Sequence, residues 1–487
     1  MKEQSLKEKT ISGVFWKFLE KFSVQGVMFI QSIIMARLLD PADYGLIGMV
    51  AILNGVCAIL VDSGFTNALI RKKDRTPEDF STVFIFNVVM NILMAVFMVV
   101  FAPIFADFYH QPVLKNIIYL FAIQSASGCL LAVQGAKMIV DLQFRTMSFI
   151  NVLTTISTGL ISVALAFYGL GVYALVIPNI VMIYIRFGLY YHYQHWFPGF
   201  KFSTQSFKEL FSYGSKILIS NLLNCIFGNI YPIVIGKKFS SAALGYYSRG
   251  EGYAALPSAT VNDVISNVTL PILSRIQDDT QELSVIYRKM LRVSAYLVFP
   301  VMMALAAMAR PLVIVMISEK WTPCVIFLQI LCFSAMWKPI SSLNMNLLQV
   351  KGRSDLFLRI TVAEKILLIL VVVVTVPMGI VAMCIGSVIS AYFTLFINTF
   401  YTGKLIGVGF VSQMRDLFPS FVLSSLMGLT IYLISVYVNS YVLQIVVGVI
   451  LGFGFYCGMS MLLNFMEFNY VKAIIEGRLS MIMKKKK

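Results

Sequence analysis

Lys17 and Lys21 stand one helical turn apart in an otherwise apolar stretch, and Gln25 follows one turn later. Spacing of four places all three on one helix face. Glu20 lies beside them. About 200 residues on, a second apolar stretch repeats the spacing with Lys216, Ser220 and Asn224, and Asn221 is its neighbour. Ammonium groups in a low-dielectric setting neutralise an anion and donate hydrogen bonds to it. Amides and hydroxyls suit a ligand rich in hydroxyls. A charge at mid-membrane costs ~2.5–3.5 kcal/mol, so such residues usually face a cavity or a partner. The same lysines have a plainer use: near the membrane boundary they can snorkel to headgroups, and Lys17 can pair with Glu20. Asp62 and Asp263 form a second class. A buried carboxylate can take up a proton or hold Na⁺, which would couple movement to an ion gradient. Each can equally cap a break in its helix, since Asp62-Ser-Gly64 reads as a local loosening; the structural reading is favoured. His192-Tyr-Gln-His195 has no third histidine nearby. It reads as an interfacial belt with Tyr190, Tyr191 and Trp196, so no metal or cofactor is expected.

The elements that must carry these residues are membrane helices. The chain has 487 residues, 59% hydrophobic and 13% charged, outside the range of soluble proteins. Apolar runs of about 20 residues recur along nearly the whole length, which predicts an all-α polytopic membrane protein with about 14 transmembrane helices. A β-barrel is excluded, because its signature is short alternating segments. The net charge of +16 does not point to nucleic acid, because the positive residues sit in short loops between apolar runs. Most of the 39 lysines and arginines fall on one side, which predicts that both termini are cytoplasmic. The seven cysteines all lie in apolar segments without ligand spacing and read as packing residues. Residues 1–9 are charged and a full-length helix follows, so no signal peptide is expected.

The chain also repeats itself. Arg37, Ala42 and Gly45 match Lys237, Ala242 and Gly245. Arg71, Asp74, Thr76 and Glu78 match Arg275, Asp278, Thr280 and Glu282. Lys137, Asp141 and Arg145 match Lys351, Asp355 and Arg359, and Gly171 and Ala174 match Gly379 and Ala382. Four matches in one order indicate duplication. The expected organisation is a six-helix bundle over 1–200, a second over 201–410, and helices 13 and 14 with a basic tail over 411–487. An even number of helices gives both copies the same orientation, hence a parallel repeat about an axis along the membrane normal. Pro178, Pro232, Pro257, Pro271, Pro300 and Pro339 are candidate kinks.

The stretches Leu38-Leu-Asp-Pro-Ala-Asp-Tyr-Gly45, Asp62-Ser-Gly-Phe-Thr-Asn-Ala-Leu-Ile-Arg-Lys-Lys-Asp74 and Glu78-Asp-Phe-Ser-Thr82 carry a family resemblance. With the duplicated architecture, the chain resembles the Wzx-type flippases. These are the polysaccharide transporters of the multidrug/oligosaccharidyl-lipid/polysaccharide exporter superfamily, here in its colanic-acid and exopolysaccharide-like branch. The resemblance implies a transporter that moves undecaprenyl-diphosphate-linked oligosaccharide repeat units (O-antigen, capsule or exopolysaccharide) by alternating access. The direction would be from the cytoplasmic to the periplasmic face of a bacterial inner membrane. The implied partners are that lipid-linked substrate, membrane lipids, H⁺ or Na⁺, and other polysaccharide-assembly proteins. On this reading Lys17, Lys21 and Lys216 meet the diphosphate, while Gln25, Ser220 and Asn224 meet sugar hydroxyls. The rival within the superfamily is a multidrug/cation antiporter, but a cationic substrate would want a cavity dominated by carboxylates. An enzyme is not expected, since no large loop, DxD motif or nucleotide-binding loop is present. A non-transporting scaffold would not need charge matched on both copies.

Overall fold

The computed structural model describes residues 6–62, 65–72 and 74–470; the basic Lys484–Lys487 tail lies outside them. Among the described residues the regular elements are helical throughout and no strand occurs. The first run is α1 (Leu6–Leu38), α2 (Pro41–Asp62), α3 (Phe65–Arg71), α4 (Pro77–Tyr109), α5 (Val113–Val140), α6 (Phe144–Phe167) and α7 (Tyr173–Gln194). The second is α8 (Thr204–Gly228), α9 (Ile230–Lys238), α10 (Ser241–Arg275), α11 (Thr280–Ala307), α12 (Ala309–Ile317), α13 (Cys324–Ala335), α14 (Lys338–Val350), α15 (Ser354–Thr375) and α16 (Ile380–Ile406). Two long helices close the chain, α17 (Phe410–Tyr437) and α18 (Tyr441–Leu462). Among the described residues, 10 helical segments are long and apolar enough to cross a membrane. Large side chains such as Phe97, Leu160, Phe393 and Phe453 stand exposed on their outer faces. Lipid is the solvent that tolerates this, and continuous helices satisfy the backbone there.

Two compact units result, Met1–Gly245 and Tyr246–Lys487. In the first, α4 packs along α5, α1 along α6, and α7 against both α5 and α6. Helix α8 lies on α2, α3 and α4. In the second, α11 packs along α17, α16 gathers α13 and α15, and α18 covers α12 and α17.

Several apolar runs that read as single helices are split: at Asn229, at Met308, and at Met336–Trp337. Pro232 and Pro339 fall in the first turn after such a split, where the missing N–H costs nothing. Pro178, Pro257, Pro271 and Pro300 lie inside continuous helices. At Asn229 the side-chain amide donates to the Cys225 carbonyl at 2.7 Å, beside the bond of 3.1 Å from its own backbone N–H to the same oxygen.

The duplication shows as packing. The Pro41–Gly45 turn and its later copy Ser241–Gly245 lie against each other. A Cβ added at Gly45 would stand 1.7 Å from the Ser241 carbonyl oxygen, and one at Gly245 would stand 1.9 Å from the Pro41 carbonyl oxygen. The contact is reciprocal, as a twofold-related pair requires, and glycine alone permits it because backbone meets backbone. Elsewhere the copies diverge. Thr76 caps α4 through a capping box with Asp79, with Pro77 at the first helical position. In the second copy the cap of α11 is Asp279, one residue before Thr280. Lys137 pairs with Asp141 at 3.0 Å, whereas Lys351 donates to the Gln277 carbonyl and Asp355 pairs with Arg353.

Asp79 also anchors α8. Its buried carboxylate accepts from the Thr76 N–H at 2.9 Å and pairs with Lys72 at 3.0 Å. Lys72 in turn reaches Glu209 of α8 at 3.0 Å. Burial disfavours the Lys72 charge, but the carboxylates of Glu209 and Asp79 outweigh it and hold its pKa above the usual lysine value. Asp79→Ala removes a cap and leaves Lys72 without its buried partner. We expect a loss of about 2–4 kcal/mol, read as a lowered Tm of the detergent-solubilised protein. Glu209→Ala, at an exposed partner, should cost under about 1 kcal/mol.

Candidate functional site

The charged face of α1 meets a polar stripe on α6. Ser148, Asn151, Thr155, Thr158 and Ser162 recur along α6 at spacings of three and four, the period of one helix face. Glu20 is the hub. Its carboxylate accepts from Lys17 Nζ at 2.8 Å, from Ser148 Oγ at 2.6 Å and from Asn151 Nδ2 at 2.7 Å. The Tyr190 hydroxyl of α7 donates to Asn151 Oδ1 at 3.3 Å. One turn further along α6, Thr154 Oγ1 accepts from Arg186 Nη2 at 2.9 Å. Three helices are thus joined by a polar network inside an apolar unit, where each unsatisfied group would be costly.

This geometry sorts the residues singled out in the sequence. Lys17 turns toward α6, with its ammonium in the pair with Glu20 and 3.6 Å from Met147 Sδ. Lys21 and Gln25 lie exposed on α1. Asn224 is exposed on α8, while the side chains of Lys216 and Ser220 on that helix lie outside the described residues. Asp62 is the last residue of α2, and its side chain also lies outside them. Asp263 is exposed on α10, one turn before Ser266, whose Oγ lies 3.2 Å from Ser342 Oγ of α14. The His192 and His195 rings sit 5.9 Å apart. Among the described residues no group of three or more His, Cys, Asp or Glu could hold a metal.

Sequence reasoning missed Ser148, Asn151 and Thr154 as partners, and Arg186 as a donor to α6. The stripe on α6 was a usable signal, but a stripe does not say which helix it faces. The hub carries a prediction. Glu20→Ala would strand three donors at once, where Lys17→Met removes one of them. The first should cost about 1–3 kcal/mol more than the second, measured as thermal stability in a lipid nanodisc.

The second unit has its own buried polar cluster. Asn344 and Gln413 exchange two side-chain hydrogen bonds at 3.0 and 3.1 Å, and the Thr402 hydroxyl donates to Asn344 Oδ1 at 2.7 Å. It ties α14, α16 and α17 through neutral side chains. Near one end of this unit, Asp416 is held by Arg288 at 2.6 Å and by Arg292. Along α11, α12, α17 and α18 runs an apolar groove of about 750 Å³, lined by Leu297, Val301, Met308, Ile431, Val449 and Phe453 among others.

Comparisons with known proteins agree with this architecture. A family model described as "Polysaccharide biosynthesis protein" matches residues 34–326. The chain is 24% identical to the lipopolysaccharide biosynthesis protein WzxC of Escherichia coli K12, over 81% of this chain and 80% of that protein. Its fold is similar to that of the lipid II flippase MurJ in an inward closed conformation, with a TM-score of 0.72 at 12% identity. That match covers 93% of this chain and 99% of that one. It is also similar to an inward-facing transporter of the multidrug resistance MATE family, with a TM-score of 0.60 at 12% identity, covering 78% and 94%.

Proposed function

Because this chain belongs to the polysaccharide biosynthesis protein family of Wzx-type transporters, we propose that it is a flippase. Its substrate is an oligosaccharide repeat unit linked through a diphosphate to a polyprenol, and it moves that unit across a bacterial inner membrane. Both termini lie in the cytoplasm. The observation that carries this reading is the unbroken family match over residues 34–326, on a chain whose described elements are helices throughout.

The division of labour follows from chemistry. Lys21 of α1 and Lys216 of α8 neutralise the diphosphate through charge-assisted hydrogen bonds. Gln25, Ser220 and Asn224 exchange hydrogen bonds with the sugars. Lys17 serves mainly to fix Glu20 and thereby the α1–α6 pair, which holds the face of α1 in register. The polyprenyl tail stays in apolar surroundings throughout. Alternating access then requires one face to close while the other opens. The Gly45–Gly245 contact is the closure on the far side, opposite the termini. Asp62 and Asp263 are the carboxylates that would take up H⁺ or Na⁺, if an ion gradient supplies the drive. Other assembly proteins would receive the product.

A cation antiporter shares the fold, and the similarity to the multidrug transporter keeps it as the rival. The lysines on α1 and α8 speak against it, because they repel a cationic substrate. The test is reconstitution. Vesicles carrying the purified protein and a polyprenyl-diphosphate oligosaccharide are treated with an impermeant oxidant of sugars. Oxidation of the inner-leaflet pool with the protein, and not without it, is the expected result. A protected inner pool together with proton-driven efflux of an organic cation would replace the reading with the antiporter.

A further inference from the structure

In the second unit, α10 runs beside α13 and α14 in the same direction. Ser258 Oγ of α10 donates to the carbonyl of Ala335, the last residue of α13, at 2.6 Å. Two turns further on, Ser266 Oγ lies 3.2 Å from Ser342 Oγ of α14. The sequence offsets of these contacts, 77 and 76, are nearly equal, so Asn262 stands level with Lys338 at the start of α14. Glu251, Ser258, Asn262 and Ser266 share one face of α10, and Lys338, Ser342 and Asn346 share one face of α14. The α14 series repeats, in type and spacing, Lys216, Ser220 and Asn224 of α8. The opposite face of α14 is buried through Leu343, Leu347 and Leu348. The polar seam lies deep. Lys338 stands ~18 Å of helix from the nearer end of the span Cys324–Val350, too far for a lysine to snorkel to headgroups. It is exposed, and among the described residues no ion pair holds it; Glu251 is its acidic neighbour. A lysine at that depth faces a water-filled space rather than lipid. On these same two faces, two buried polar atoms have no partner: Asn262 Oδ1, which needs a donor, and Asn346 Nδ2, which needs an acceptor.

A hydroxyl is donor and acceptor at once, so a ligand rich in hydroxyls supplies what both amides lack. We propose that Asn262 and Ser266 of α10, with Ser342 and Asn346 of α14, form a glycan subsite that takes ring hydroxyls of the transported oligosaccharide. Ser266 and Ser342 exchange their mutual hydrogen bond for bonds to the sugar. Lys338 and Glu251 keep the seam hydrated. This subsite rests on the flippase reading and adds to it a recognition of sugar separate from that of the diphosphate. Its four side chains are neutral, so it reads the pattern of hydroxyls instead of charge. A site built to hydrogen-bond hydroxyls rejects an analogue that lacks them, because its own buried groups are then left unpaired. The α10–α14 seam is in this way a determinant of which repeat unit is carried.

The experiment uses the full chain in nanodiscs, with a polyprenyl-diphosphate oligosaccharide as probe and sugar-free polyprenyl diphosphate as control. Asn262→Leu with Asn346→Leu should weaken oligosaccharide binding about tenfold, from the loss of two hydrogen bonds, and leave binding of the control unchanged. Without ligand its Tm should hold or rise, since two unsatisfied buried amides are replaced by apolar groups of similar size. Ser266→Ala with Ser342→Ala, a milder change in the same seam, should weaken the oligosaccharide severalfold with the same selectivity. Unchanged oligosaccharide binding in both variants would overturn the subsite. So would equal weakening of probe and control, or a weakening that comes with a lowered Tm, which would mark a structural role. Translocation by the wild type in any of those cases would leave the flippase reading standing. Selective loss of oligosaccharide binding in the variants, with no translocation by the wild type, would keep the subsite and remove that reading instead.

Discussion

Gly45→Ala should slow translocation at least tenfold, and Gly245→Ala should do the same. The added methyl would sit 1.7 Å from a carbonyl oxygen in the first case and 1.9 Å in the second. Carbon and oxygen need about 3 Å or more, so the turn must retreat by over an ångström. No side chain can move aside to relieve it, because the obstacle is backbone. Overpacking of this kind costs about 1–3 kcal/mol, and each 1.4 kcal/mol depopulates the state that holds this contact by a factor of ten. The two substitutions break one shared contact, so the double variant should lose little more than either single one. The measurement is the initial rate in the vesicle assay, with Tm recorded alongside to separate gating from unfolding. Wild-type rates in both variants would show that this contact has no part in the cycle.

Lys21→Ala with Lys216→Ala should have the larger effect. Charge-assisted hydrogen bonds contribute about 1.5–3 kcal/mol each. Loss of both lysines should therefore lower the translocation rate a hundredfold or more. Lys21→Arg with Lys216→Arg keeps the charges and should retain part of the activity, reduced because the planar fork places its donors differently. Lys17→Ala should be far milder on transport, since that ammonium is engaged by Glu20 at 2.8 Å. An equal loss from Lys17→Ala would mean that the pair opens during the cycle and that all three lysines meet the substrate.

Much of this was legible in the sequence, for definite reasons. Apolar runs of membrane length have few ways to fold, so the helical class followed from composition. The duplicated turns at Gly45 and Gly245 could be aligned by eye, but alignment did not reveal that they touch. That contact depends on how two distant turns are brought together. The Lys17–Glu20 pair was foreseeable from spacing within one helix. Its extension to Ser148 and Asn151 was not, because residues about 130 positions apart meet only through tertiary packing. The breaks at Met308 and at Met336–Trp337 occur inside apolar runs, each followed within three residues by a basic residue and a proline, Arg310-Pro311 and Lys338-Pro339. Of the prolines, those at 232 and 339 begin new helices, whereas Pro178 and Pro300 sit within helices that continue. Proline identity alone does not separate the two cases; its distance from a break does. The basic first half of α11 continues without interruption into a membrane segment.

The central claim is the direction and cargo of transport, and it is most directly tested in cells that make the glycan precursor but lack this protein and any second flippase. The measurement is the membrane face on which the lipid-linked repeat unit accumulates. The account predicts accumulation on the cytoplasmic face, relieved by the wild-type chain and not by the Lys21→Ala, Lys216→Ala variant. Normal delivery of the repeat unit to the outer face without the protein would contradict it.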